Sequence, residues 1–109
     1  FLHKNSIKDI EPFIKEIKKI QHKKETGETY NLKLLNLSHN QIKDISSLKE
    51  LKGVDAITLV NNNITDLTPL TEINVKIIDI RNNPLDLSED ASNMEAINKL
   101  KKRGIFVRY

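Results

Sequence analysis

The chain has 109 residues, with 18 Lys and Arg against 15 Asp and Glu for a net charge of +3, and no Cys or Trp. That length suits one domain with a continuous core. The lack of Cys excludes disulfides and thiol chemistry, and no apolar run reaches the roughly 20 residues of a membrane-spanning helix.

Residues 1–10 (FLHKNSIKDI) place Leu2, Asn5, Ile7 and Ile10 in the order of the second half of a motif that returns further on. Beginning on Phe1, halfway through a repeat, the sequence predicts further repeats or another domain ahead of it. In residues 11–31, Pro12 suits a first helical position. Ile10, Phe13, Ile14, Ile17 and Ile20 then follow helical spacing, predicting a helix that ends around His22 or Lys23. A polar turn around Gly27 follows. The segment reads as an insertion, either tolerated at the surface or presenting Tyr30, His22 and the Lys cluster to a partner.

Residues 32–85 carry the motif three times. Leu32, Leu35, Leu37, Asn40, Ile42 and Ile45 form the first copy. Val54, Ile57, Leu59, Asn62, Ile64 and Leu67 form the second, and Val75, Ile78, Ile80, Asn83 and Leu85 the third. Leu48 and Leu51 trail the first copy, as Leu70 and Ile73 trail the second. The pattern L-x-x-L-x-L-x-x-N-x-I at a period of about 22 residues is the signature of leucine-rich repeats. Each x-L-x-L segment alternates as a strand must, and strands that always run the same way make a parallel sheet. Asn5, Asn40, Asn62 and Asn83 stand where the chain leaves the strand, and their amides would satisfy backbone groups buried by the turn. The expected fold is therefore an α/β leucine-rich repeat solenoid with a curved parallel sheet on its concave side. Its convex segments would be 3₁₀, irregular or helical, and no repeat would close a core alone.

Residues 86–109 end the array as a cap. Ser92-Asn93-Met94-Glu95 reads as a capping box, and Met94, Ile97 and Leu100 as the apolar stripe of a helix. Lys99, Lys101, Lys102 and Arg103 suit its last turn, with Gly104 just past its end. Residues 105–109 (IFVRY) alternate as a final strand closing the sheet. The whole chain, 1–109, reads as a single leucine-rich repeat domain.

The three copies, with turns such as Asn40-Gln41-Ile42-Lys43-Asp44-Ile45-Ser46-Ser47-Leu48, resemble the 22-residue repeats of bacterial internalin-type surface proteins. The tail from Asn83-Pro84-Leu85-Asp86-Leu87-Ser88 through Met94 and Gly104 to Val107-Arg108-Tyr109 is similar to the C-terminal flank of many bacterial leucine-rich repeat proteins. The resemblance implies a non-enzymatic protein-binding module of a secreted or surface protein, extracellular in location. The same repeat also resembles that of eukaryotic phosphatase-regulatory and cytoskeletal proteins, which implies an intracellular adaptor. A third reading is a structural spacer holding a neighbouring domain.

No catalytic residue, metal site or cofactor emerges. His3, His22 and His39 have no carboxylate in series with them, and Gly27, Gly53 and Gly104 form no phosphate-cradling loop. Residues 34–98 carry five basic and ten acidic groups, whereas both ends are basic; a nucleic-acid binder would show a continuous basic face with aromatics. The expected partner is a protein held on the concave face. Its outward positions run in rows: Leu34, Ala56 and Ile77; then Asn36, Thr58, Asp79 and, if the last strand joins in register, Phe106; then His3, Ser38, Val60, Arg81 and Arg108. Asp79 beside Arg81 predicts an ion pair. Apolar and aromatic side chains edged by arginines resemble an interface. The candidate contacts are Leu34, Asn36, Thr58, Val60, Ile77, Asp79, Arg81, Phe106 and Arg108.

Overall fold

The computed structural model describes residues 6–24, with side chains as far as residue 19, together with residues 33–89 and 91–109. The expected roles of Leu2, His3, Asn5, Tyr30 and Leu32, those of the Ile20 and His22 side chains, and the expected turn around Gly27 lie outside the described residues and side chains. Helix α1 spans Glu11–Lys24, running past the end predicted at His22 or Lys23. Strands β1 (Leu34–Asn36), β2 (Ala56–Thr58) and β3 (Ile77–Asp79) follow. They alternate with 3₁₀ turns at Ser46–Glu50 and Thr68–Glu72. Helix α2 (Ser92–Lys102) and strand β4 (Phe106–Arg108) complete the chain. The four strands form one parallel sheet in sequence order. Two short return segments and a sheet whose neighbours are always consecutive are what a repeat of about 22 residues leaves room for.

One side of every strand feeds the core. Leu35, Ile57, Ile78 and Val107 point inward beside Leu37, Leu59 and Ile80, and the turn residues Ile42, Ile45, Ile64 and Leu67 close behind them. Leu48 and Leu70 from the 3₁₀ turns, Ile14 from α1, and Ile97 and Leu100 from α2 complete a single contiguous cluster. Burying each such side chain contributes roughly 1.5–3 kcal/mol, and every layer is covered only by its neighbours, so stacking rather than any one repeat supplies the core.

The asparagine row joins the layers. Asn62 Oδ1 accepts the Ile42 N–H at 3.0 Å, while its Nδ2 donates to the Leu37 and Leu59 carbonyls, each at 3.0 Å. Asn83 does the same one layer on, accepting from Ile64 N–H and donating to the Leu59 and Ile80 carbonyls. Asn40 accepts the Ile7 N–H at 3.2 Å and donates to the Leu37 carbonyl. Ile7 thus takes the bond that Ile42 and Ile64 take in later layers. Each amide bonds its own strand end and reaches back to the layer before it, which only a group that both donates and accepts can do.

A second repeated device lies in the turns. Asp44 Oδ1 accepts from the Ser46 N–H and hydroxyl, Asp66 from Thr68, and Asp86 from Ser88. Hydrogen bonds from Ser46, the hydroxyl ahead of the backbone, hold the Asp44 carboxyl below its ordinary pKa, and those from Ser88, backbone ahead of hydroxyl, do so for Asp86. Asp9 accepts from the Glu11 N–H at 3.0 Å at the start of α1, the same use of a short side chain to begin a turn.

The cap departs from its expected design at one end. The N-cap of α2 is Ala91, and no side chain caps it; Ser92 is already the first helical residue, so the capping box does not form. Asn93 is buried instead. Its Oδ1 accepts the Leu67 N–H at 2.9 Å and its Nδ2 donates to the Thr65 carbonyl at 2.9 Å. The buried Leu67 N–H and the part-buried Thr65 carbonyl claim that amide. At the other end, the Ile105 N–H donates to the Leu100 carbonyl and the Gly104 N–H to the Lys101 carbonyl. This is a Schellman turn, with Gly104 left-handed at φ +84°.

Candidate functional site

Because strand side chains alternate, the residues flanking each inward one stand on the opposite, open face of the sheet. Parallel pairing sets their rows. Leu34 pairs with Ala56, Ala56 with Ile77, and Ile77 with Phe106. Asn36, Thr58, Asp79 and Arg108 form the next row. The last strand is therefore offset by one row from its expected place: Phe106 aligns with Ile77 rather than Asp79, and Arg108 with Asp79 rather than Arg81. The tight Schellman turn causes the offset, since it delivers Ile105 directly into the core and starts the strand at Phe106. One consequence is an unbroken apolar row across all four strands. Leu34, Ile77 and Phe106 are 53%, 45% and 58% exposed, with Ala56 half-buried between the first two.

The polar row beside it is internally bonded. Asp79 is buried, and Arg81 grips it through Nε at 3.0 Å and Nη2 at 2.8 Å; the expected ion pair is present. Burial would raise the Asp79 pKa, but the Arg81 side-chain and backbone hydrogen bonds, with the charges of Arg81 and Arg108, outweigh it and leave the carboxyl below its ordinary value. The same contacts raise the pKa of Arg81. The Ser38 and Thr58 hydroxyls lie 2.8 Å apart, and Asn36 Oδ1 accepts the Ser38 N–H. Asn36, Thr58 and Val60 are half-buried, whereas Arg108 is exposed with its guanidinium carbon 5.8 Å from the Phe106 ring centre.

Where the strands end, His39, Asn61 and Asn82 adopt left-handed backbone at φ 60°, 58° and 59°. His and Asn tolerate that region better than most residues. His39 Nδ1 lies 2.9 Å from Asn61 Nδ2. Where the strands begin, Lys33, Asp55 and Lys76 precede the apolar row, and Lys76 approaches Asp55 at 3.9 Å. The row reading of the sequence passed over these flanking charges, although their fixed place one residue before Leu34, Ala56 and Ile77 was there to be read.

On the turn side, a shallow open cavity of about 260 Å³ is lined by Asp9, Glu11, Asp44, Ser46 and Glu50 among others. Among the described residues no His, Cys, Asp and Glu group could hold a metal, and no helix is long and apolar enough to cross a membrane.

A family model described as Leucine Rich repeats, in two copies, matches residues 30–72. With the consecutive parallel strands, the asparagine row and the short return turns, that match decides the architecture. The fold is a leucine-rich repeat solenoid. The solenoid is also 43% identical over 63 residues to the septation initiation network scaffold protein cdc11 of Schizosaccharomyces pombe, covering 53% of this chain and 6% of that protein. The chain thus spans only a small part of that relative's length. No solved structure matches. The matched family is one of structural repeats rather than of catalytic domains.

Proposed function

We propose that the solenoid is a non-enzymatic adaptor module that holds another protein on the open face of its sheet. The observation that carries this reading is the row of Leu34, Ala56, Ile77 and Phe106, three of them largely exposed on adjacent strands. A rigid sheet presenting fixed apolar side chains loses little entropy on binding, and an aromatic anchor beside an arginine is the composition of an interface core. On this reading Leu34, Ile77, Phe106 and Arg108 are the contacts. Asn36, Thr58 and Val60 frame them, and Asp79 serves to hold Arg81 in place.

The relative that is a scaffold protein of a fungal septation network supports the adaptor reading, with a cytoplasmic location, in place of the bacterial surface-protein reading. A photo-crosslinking residue placed at Phe106, and separately at Lys49 on the first 3₁₀ turn, tests the face in source cells. Cross-links to another protein from position 106 and not from 49 are expected; the reverse pattern would move the site to the turn side. Brief protease treatment of intact cells tests the location. Peptides of this chain released without lysis would restore the surface reading.

A further inference from the structure

The repeat body is acidic in sequence, yet its charges are not spread evenly over the folded surface. Asp44, Asp66 and Asp86 lie in the turns, bonded to Ser and Thr. Glu50 and Glu72 lie on the 3₁₀ turns, with Lys49 on the first of them and Lys43 and Lys52 on either side of it. The open face and its margin carry Lys33, Lys76, Arg81 and Arg108 against Asp55 and Asp79. Asp79 is largely withdrawn, its side chain 13% exposed beneath Arg81, whereas the Lys76 side chain is 79% exposed. Among the described residues no carboxylate lies within ion-pair distance of Lys33 or Arg108, although the charge of Arg108 reaches Asp79. An apolar row is therefore bordered by exposed cations on both sides, Lys33 and Lys76 where the strands begin and Arg108 and Arg81 towards their ends.

We infer that the open face takes an acidic amphipathic segment of its partner protein, apolar side chains along Leu34, Ile77 and Phe106 and carboxylates against Arg108, Lys33 and Lys76. The inference rests on the reading of this face as the docking surface. Like charges on a basic partner would be set against Lys33 and Arg108, beyond the pairs Lys76–Asp55 and Arg81–Asp79, whereas carboxylates on both flanks of an apolar stripe meet a cation on either side. The dimensions agree. Neighbouring strands lie about 4.8 Å apart, so four of them span about 14 Å. That is the length of roughly nine helical residues, enough for apolar positions i, i+4 and i+7 on one face. Arg108, already stacked on Phe106, can bind a carboxylate while its stem covers the ring.

The test uses the full chain and two synthetic helical peptides of about 14 residues, with leucines at i, i+4 and i+7 and either glutamates or lysines on the flanks. Fluorescence anisotropy reads binding at low and high salt. The glutamate peptide is expected to bind about tenfold or more tightly than the lysine peptide, and to weaken severalfold as salt screens the flanking charges. Arg108→Glu should reverse that preference, and Phe106→Ala should weaken both peptides. Arg108→Ala replaces Arg108→Glu if the latter disturbs the thermal melt. Equal affinities, tighter binding of the lysine peptide, or no binding of the glutamate peptide would overturn the acidic partner. If peptide binding then still depends on Phe106, the docking face survives without its charge preference. Binding indifferent to Phe106→Ala and Ile77→Ala would overturn both.

Discussion

Two amides of the same residue type, Asn36 and Asn62, show how differently the two sides of one sheet are built. Asn36 stands on the open face, half-buried, and accepts a single bond from the Ser38 N–H two residues on. Asn62 is buried at the strand exit and holds the Ile42 N–H together with the Leu37 and Leu59 carbonyls, tying two layers at once. The inner and exit positions are fixed by backbone groups that have no water to turn to. The outer positions are set only by their immediate neighbours and stay open to variation. Stability therefore rests on the inner side and exits of the strands, and the proposed docking surface lies on the other side.

The sharpest way to break that division is Asn62→Ala. It strands the buried Ile42 N–H, which costs about 1–3 kcal/mol when unsatisfied, and takes one of two amide donors from each of the Leu37 and Leu59 carbonyls, which keep Asn40 and Asn83; a loss of roughly 3 kcal/mol in urea unfolding is expected. Asn36→Ala, which removes one part-buried bond, should cost no more than about 1 kcal/mol. Equal losses at the two positions would sink the division.

Asn93→Ala comes next in size. Its amide ties the turn of the second repeat to the lid through Leu67 and Thr65, and its removal should cost about 2 kcal/mol. Ser92→Ala, which a capping box would make costly, should change the urea midpoint little, because Ser92 caps nothing.

This pair also marks where the sequence was legible and where it was not. The repeat register, the parallel strands, helix α1 and the α2–Gly104–β4 lid follow from periodicity, since hydrophobic spacing alone decides which residues face the core. The ladder residues Asn40, Asn62 and Asn83 were readable because they recur. Asn93 was not, because its partners lie 26 and 28 residues away and nothing local distinguishes a clamp from a cap. The open face was half legible. Its membership came from alternation, but the place of Phe106 and Arg108 depended on how many residues the turn at Gly104 consumes, a question of turn geometry that no pattern of apolar residues answers. The segregation of charge was hidden for the same reason, as net charge by segment averages over both faces.

Gly104→Ala probes that turn. The residue is left-handed at φ +84°, and a Cβ there would meet nothing within 4 Å, so the cost comes from backbone conformation alone. About 1 kcal/mol of stability should be lost, read as a lowered melting temperature. A loss of several kcal/mol would mean that β4 had shifted register, and with it the apolar row.

The smallest expected effect sharpens the comparison on the open face itself. Asp79 and Asn36 hold equivalent positions in the polar row, and each accepts the N–H two residues on through Oδ1. Asp79→Asn therefore keeps that backbone bond and removes only the charge that Arg81 grips. The folded pKa of Asp79 lies below its ordinary value of 3.8, so the ionised form stabilises the fold. That contribution is complete above the unfolded pKa and is lost as pH falls through the folded one. At neutral pH the variant should be less stable than the wild type by less than about 1 kcal/mol, because Arg81 is half-exposed and solvent screens the pair. The gap should close as the pH falls below 3.8. Urea titrations of both proteins across that range measure it. A gap that persists unchanged into acid would mean that Asp79 acts through its shape and backbone bond, as Asn36 does, and not through its charge.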